Sequence, residues 1–156
     1  MLPDLSALYN LRGDDGAIRF YDGLEAVKSV YESLLEGIRP QDDYLVLSDL
    51  EQWLELDSKF FKNFIERRAK LPINIKILSQ DSKVARGLKK HEQAYNETIK
   101  FLPAKTKLTT NLVITPQRVV IHQLVPPVFA MSIANPSIIR MHKEQFEIMW
   151  KALPEA

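Results

Sequence analysis

The chain has 156 residues, 46% hydrophobic and 26% charged, with 21 basic against 20 acidic side chains and no cysteine. This fits one globular domain with a sizeable core, and a net charge of +1 supplies no global field for nucleic acid or an acidic membrane. The lack of cysteine excludes a disulfide framework, thiol chemistry and Cys-ligated zinc and agrees with a cytoplasmic setting, while no apolar run reaches the ~18–20 residues that span a bilayer.

In chain order, Leu2, Leu5, Leu8 and Leu11 are spaced by three, and residues 1–17 read as the end of a linker helix that leads into the domain. Gly13-Asp14-Asp15-Gly16 breaks it. Residues 18–156 read as a single domain. Arg19 to Tyr21 is a short strand, and Asp22-Gly23 turns the chain. Gly23 to Gly37 is the clearest helix, with Leu24, Val27, Val30, Tyr31, Leu34, Leu35 and Ile38 on one stripe. Gly37 suits a left-handed C-terminal cap. Tyr44 to Leu47 is a strand.

Ser48 or Asp49 caps the next helix, whose stripe runs through Trp53, Phe61 and Phe64 to a basic end, Arg67-Arg68-Ala69-Lys70. That cluster reads as favourable charge at a helix C-terminus. Ile73 to Leu78 alternates as a strand does. A weaker helix follows, capped by Asp81 or Ser82 and carrying Val84, Leu88 and Tyr95. Ile99 to Leu102 is a further strand and Pro103 to Lys107 an exposed loop. Leu112 to Ile114, Val119 to Val125 and Val128 to Ala134 are short β-branched runs separated by turn residues, so they read as buried strands. Asn135-Pro136-Ser137 then opens the last helix. Alternation of strand and helix followed by strands predicts an α/β fold: a mixed, mostly parallel sheet flanked by helices, with antiparallel strands late in the chain.

Chemistry is sparse. There is no glycine-rich phosphate loop and no GxSxG elbow, and His91, His122 and His142 lack metal-ligand spacing. No metal or cofactor is expected. His122 and His142 read as hydrogen-bonded core residues. In open α/β sheets ligands lie outside the carboxyl ends of the strands, which here offer Ser48, Asp49, Ser79, Gln80 and Asn135. These short polar groups suit a small polar ligand such as a sugar, but they are also good helix N-caps, which is the safer reading.

The segments Leu2 to Tyr9, Arg19 to Glu32, Phe60-Phe61 with Arg67-Arg68, Asn111 to Ile121 and Phe146 to Trp150 together resemble the C-terminal effector domain of TrmB-type transcriptional regulators. That resemblance implies a phospholipase D-like fold, a homodimer, a sugar or metabolite effector, and DNA contact only through a helix-turn-helix module outside these residues. Phospholipase D enzymes carry HxKxxxxD on the corresponding hairpin. Aligned on Arg118-Val119-Val120, this chain has Thr109 in place of the His, Asn111 in place of the Lys and Pro116 in place of the Asp. The expectation is a domain without catalysis, with Ser48, Asp49, Ser79, Thr109, Asn111 and Asn135 as candidate ligand contacts. A phospholipase D-type phosphodiesterase and a stand-alone protein-interaction module are the alternatives.

Overall fold

The computed structural model describes residues 17–155, so the leucine-spaced lead-in lies outside the described residues except for Ala17, which begins the first strand. Seven strands and five helices follow in the order β1 (Ala17–Asp22), α1 (Leu24–Gly37), β2 (Asp43–Ser48), α2 (Leu50–Leu56), α3 (Ser58–Ala69), β3 (Asn74–Ser79), α4 (Lys83–Lys89), β4 (Glu97–Phe101), β5 (Thr110–Ile114), β6 (Val119–Gln123), β7 (Phe129–Ala134) and α5 (Pro136–Ala152). One sheet holds all seven strands in the order β1-β7-β6-β5-β2-β3-β4.

Only β2·β3 and β3·β4 pair in parallel; β2·β5, β5·β6, β6·β7 and β1·β7 are antiparallel. The sheet is therefore mostly antiparallel, which corrects the expectation of a mostly parallel one. Connection length decides it. Parallel neighbours need a crossover of a dozen or more residues, whereas residues 115–118 and 124–128 are tight links that can join only antiparallel strands. Strand β1 also pairs with β7, at the far edge from β3, and not with the β2 that follows it.

Alternating side chains split the core in two. Tyr44, Val46, Ile75, Ile77, Ile99, Val113 and Val120 pack against Val27, Val30, Tyr31, Trp53, Phe61 and Phe64. Leu45, Leu78, Ile114 and Val119 pack on the other face against Phe146 of α5. Helix α1 buries Val27, Val30, Tyr31 and Leu34 at helical spacing. Gly23 precedes it at φ +84, a conformation that favours glycine. Gly37, in contrast, closes the helix without the left-handed turn the sequence suggested, and Ile38 leaves it extended.

The helix read as continuous from Leu50 to Lys70 is two helices. Asp57 is extended between them, and its Oδ1 accepts from Phe60 N at 3.0 Å, capping α3. Helix α4 is capped by Ser82 and stops at Lys89, so Tyr95 lies beyond it. No described helix is long and apolar enough to cross a membrane.

Candidate functional site

Five of the six candidate ligand contacts gather at one end of the sheet. Ser48 and Ser79 close β2 and β3, and antiparallel β5 brings Thr109, Thr110 and Asn111 to the same end, since Leu47 lies opposite Leu112. Asn135 does not join them. Strand β7 runs the other way, so its end lies at the opposite edge, where Asn135 Oδ1 accepts from Ile138 N at 3.0 Å and caps α5.

At the first end, capping and closure use most of the polar groups. Asp49 Oδ1 accepts from Glu51 N at 3.1 Å, and Asp49 Oδ2 from Gln52 Nε2 at 2.7 Å. The chain from β4 to β5 must pass over the ends of β3 and β2, and it is held down as it does so. Leu108 N donates to Gln80 Oε1 at 2.7 Å, and Gln52 Nε2 donates to Leu108 O at 2.9 Å. Ser79 Oγ donates to Gln80 O at 2.9 Å. Ser48 is fully buried and its hydroxyl has no protein partner among the described residues. Thr109 remains exposed, its carbonyl accepting from Leu124 N at 2.8 Å.

Asn111 points inward instead, into a polar centre that the sequence did not disclose. Tyr31, on α1, is its hub. The hydroxyl accepts from Trp53 Nε1 at 3.0 Å and from Asn111 Nδ2 at 3.0 Å. Both oxygen lone pairs are then used, so the O–H donates to His122 Nδ1 at 2.8 Å. His122 faces Asn111 across the β5·β6 pair. Its ring is therefore the neutral tautomer with the proton on Nε2, an assignment that rests on the hydrogen bonds around it. Burial agrees, lowering the imidazole to about 4 and holding the Tyr31 phenol well above its ordinary range.

Beside this hub lies a buried ion pair. Arg68 Nη2 donates to Glu97 Oε2 at 2.6 Å, and both side chains are almost wholly buried. Desolvation raises the Glu97 carboxyl, with Arg68 working against it. Tyr44, under the Arg68 guanidinium, is pushed up to about 12 by burial. The basic end of α3 is thus not a solvated charge cluster. Arg67 makes a two-pronged contact with Glu32 and Arg68 points into the core. Tyr31, Tyr44, Arg68, Glu97 and Asn111 line a cavity of about 10 Å³, about the room one water needs. The Tyr44 hydroxyl, Arg68 Nε and Asn111 Oδ1 have no protein partner there. A sugar does not fit this space. The signal in the sequence was the coincidence of Tyr31, Trp53 and His122 on apolar stripes, each of which read singly as core, with Asn111, which read as a ligand contact.

No group of three or more His, Cys, Asp or Glu among the described residues is placed to hold a metal ion. No protein-family model matches the sequence, and no curated protein does. Solved structures do. TrmBL2, an archaeal chromatin protein with a novel mode of DNA binding, superposes with a TM-score of 0.61 at 13% identity over 97% of this chain. Nuc of Salmonella typhimurium, a phospholipase D family member, superposes with a TM-score of 0.60 at 9% identity over 91%. The chain has a phospholipase D-like fold. It spans 59% of the TrmBL2 chain and 99% of the Nuc chain.

Proposed function

We propose that this is a non-catalytic regulatory domain of a TrmB-like transcriptional regulator. In this reading it works in the cytoplasm as a homodimer and binds a sugar or small metabolite at the end of the sheet where Ser48, Asp49, Ser79 and Thr109 meet. It reaches DNA through a module outside these residues.

The observation that carries the non-catalytic part is the state of His122. Covalent phosphoryl transfer needs an imidazole with a free lone pair. In His122 the Nδ1 lone pair accepts the Tyr31 proton and Nε2 bears its own, within a residue that solvent does not reach. Thr109, Asn111 and Pro116 put no imidazole, amine or carboxyl group at the matching hairpin positions, so no base-activated nucleophile or leaving-group acid stands there.

Support for effector binding comes from the segment that passes from β4 to β5 over the ends of β3 and β2. Gln52 and Gln80 hold both sides of Leu108. A polar ligand that takes over those amides binds the released form better than the closed one, and such differential affinity is what a sensor needs. Thermal-shift screening of sugars and metabolites tests this: a ligand at 100 times its Kd stabilises by about 2.7 kcal/mol. No stabilisation by any compound removes the effector role, and a monomer by light scattering removes the dimer. Hydrolysis of a nitrophenyl phosphodiester that His122→Ala abolishes would overturn the reading in favour of the enzyme.

A further inference from the structure

Among the described residues there are seven arginines, and the carboxylates divide them sharply. Arg67, Arg68 and Arg86 each have an acidic partner. Arg19, Arg39, Arg118 and Arg140 have none within ion-pair distance among the described residues. All four of these lie at the end of the sheet opposite Ser48 and Ser79. Arg19, Arg39 and Arg118 line one groove of about 600 Å³, and Arg140 lines the adjoining depression, which shares Pro116, Pro136 and Ile139 with it.

The fold places these three guanidinium groups together. Arg19 on edge strand β1 is the cross-strand neighbour of Ser132 on β7, and both stand on the same face. Arg39 follows the end of α1. Arg118 ends the β5–β6 turn and is tethered, its Nη1 donating to Ser33 Oγ at 3.1 Å. The carbonyls at the end of α1 attract cations, which accounts for Arg118 and leaves Arg19 and Arg39 without a structural reason. An acid is tied to the groove at Asp42, whose Oδ2 accepts from Arg39 N and from Gln117 Nε2, and Glu144 lines the adjoining depression beside Arg140. Three guanidinium charges less one carboxylate leave +2. In a domain whose net charge is +1, that is a local concentration of charge.

We propose that this groove binds a phosphoryl oxyanion, either inorganic phosphate or the phosphate of a small phosphomonoester. Guanidinium forks match phosphoryl oxygens two at a time, and a charge of +2 matches the dianion. The groove has the volume of a small-molecule site. Its remaining walls, Ala17, Ala134, Pro116, Pro136 and Ile139, suit an organic body. Duplex DNA fits less well, because the rest of the surface carries no excess positive charge to follow a phosphate backbone. This site is at the other end of the sheet from Ser48, Asp49 and Ser79, and the inference stands without the regulatory reading.

The test is calorimetric titration of the full chain at low salt with inorganic phosphate, glycerol 3-phosphate and glycerol. Both phosphates are expected to bind and glycerol is not. Tighter binding of glycerol 3-phosphate assigns the site to a phosphomonoester, and equal or weaker binding assigns it to free phosphate. Arg19→Gln and Arg39→Gln, at exposed positions, should each weaken binding about tenfold or more, with Arg19→Lys intermediate and Arg86→Gln unchanged. Circular dichroism confirms that each variant is folded. No heat from either phosphate at millimolar concentration overturns the proposal, as do variants that bind as tightly as the parent. Binding of duplex DNA that these variants abolish, with glycerol 3-phosphate inactive, also overturns it.

Discussion

The Tyr31 hydroxyl donates to Nδ1 of His122 at 2.8 Å, joining α1 to β6 across the core. Trp53 and Asn111 both donate to the same oxygen, so one buried atom satisfies three neighbours. Tyr31→Phe keeps the ring and its edge-on packing against Phe61 and Phe64 but strands all three partners. Each buried orphan costs about 1–3 kcal/mol. The variant should lose at least about 3 kcal/mol in urea unfolding, and a loss below 1 kcal/mol would show that the hub is not tightly satisfied.

His122 also sets a pH dependence. Its folded value of about 4 lies below the ordinary 6.5, so between those values the unfolded chain binds the extra proton. The stability contributed by neutral His122 is fully present above pH 6.5 and is lost as pH falls towards 4. From pH 7 to pH 5 the loss should be about 2 kcal/mol. Burial raises Glu97, and protonating it has the opposite sign. Comparison with His122→Gln separates the two: the variant should be flatter over this window, and equal slopes would exclude His122 as the source.

The Arg68–Glu97 pair makes a different forecast. Removing one partner leaves an unpaired charge among apolar groups, at a cost of about 3–5 kcal/mol. Glu97→Gln and Arg68→Met should each fall in that range by chemical denaturation. The double change Arg68→Met with Glu97→Leu should recover most of the loss, because burying a pair of charges seldom outperforms hydrophobic packing. A double variant as unstable as the sum of the singles would contradict this account.

The segment that joins β4 to β5 can be probed with trypsin. Lys105 and Lys107 are exposed on it, and Gln80 accepts from Leu108 N. Gln80→Ala removes one hydrogen bond, about 1 kcal/mol, so cleavage at these lysines should speed up about fivefold under conditions where opening is fast and reversible. An unchanged rate would mean that Gln80 does not hold the segment.

The elements were legible wherever one signal dominated. Alternation marked β3, helical spacing marked α1, and Asn135-Pro136 marked the start of α5, all within a few residues. The break at Asp57 was hidden because Phe60, Phe61 and Phe64 continue the apolar stripe that Trp53 begins. Sheet order was not legible, because pairing β1 with β7 depends on contacts more than a hundred residues apart. Ser48, Asp49, Ser79 and Asn135 were placed by the rule for parallel strands, and Thr109 and Asn111 by the phospholipase D resemblance. That rule holds for Ser48 and Ser79, and it misplaces Asn135 because β7 is antiparallel. Arg68 read as charge at the end of a helix and Glu97 carried no signal of its own, and only the fold shows that they share an interior.

The β1·β7 register, from Ala17 opposite Ala134 to Asp22 opposite Phe129, ties the beginning of the described chain to its last strand. During synthesis the first strand must wait until almost the whole domain has left the ribosome before it finds its neighbour, a distant closure of the kind that slows folding. Once zipped, any force or rotation applied ahead of Ala17 is delivered straight to β7, and through Asn135 to the base of α5.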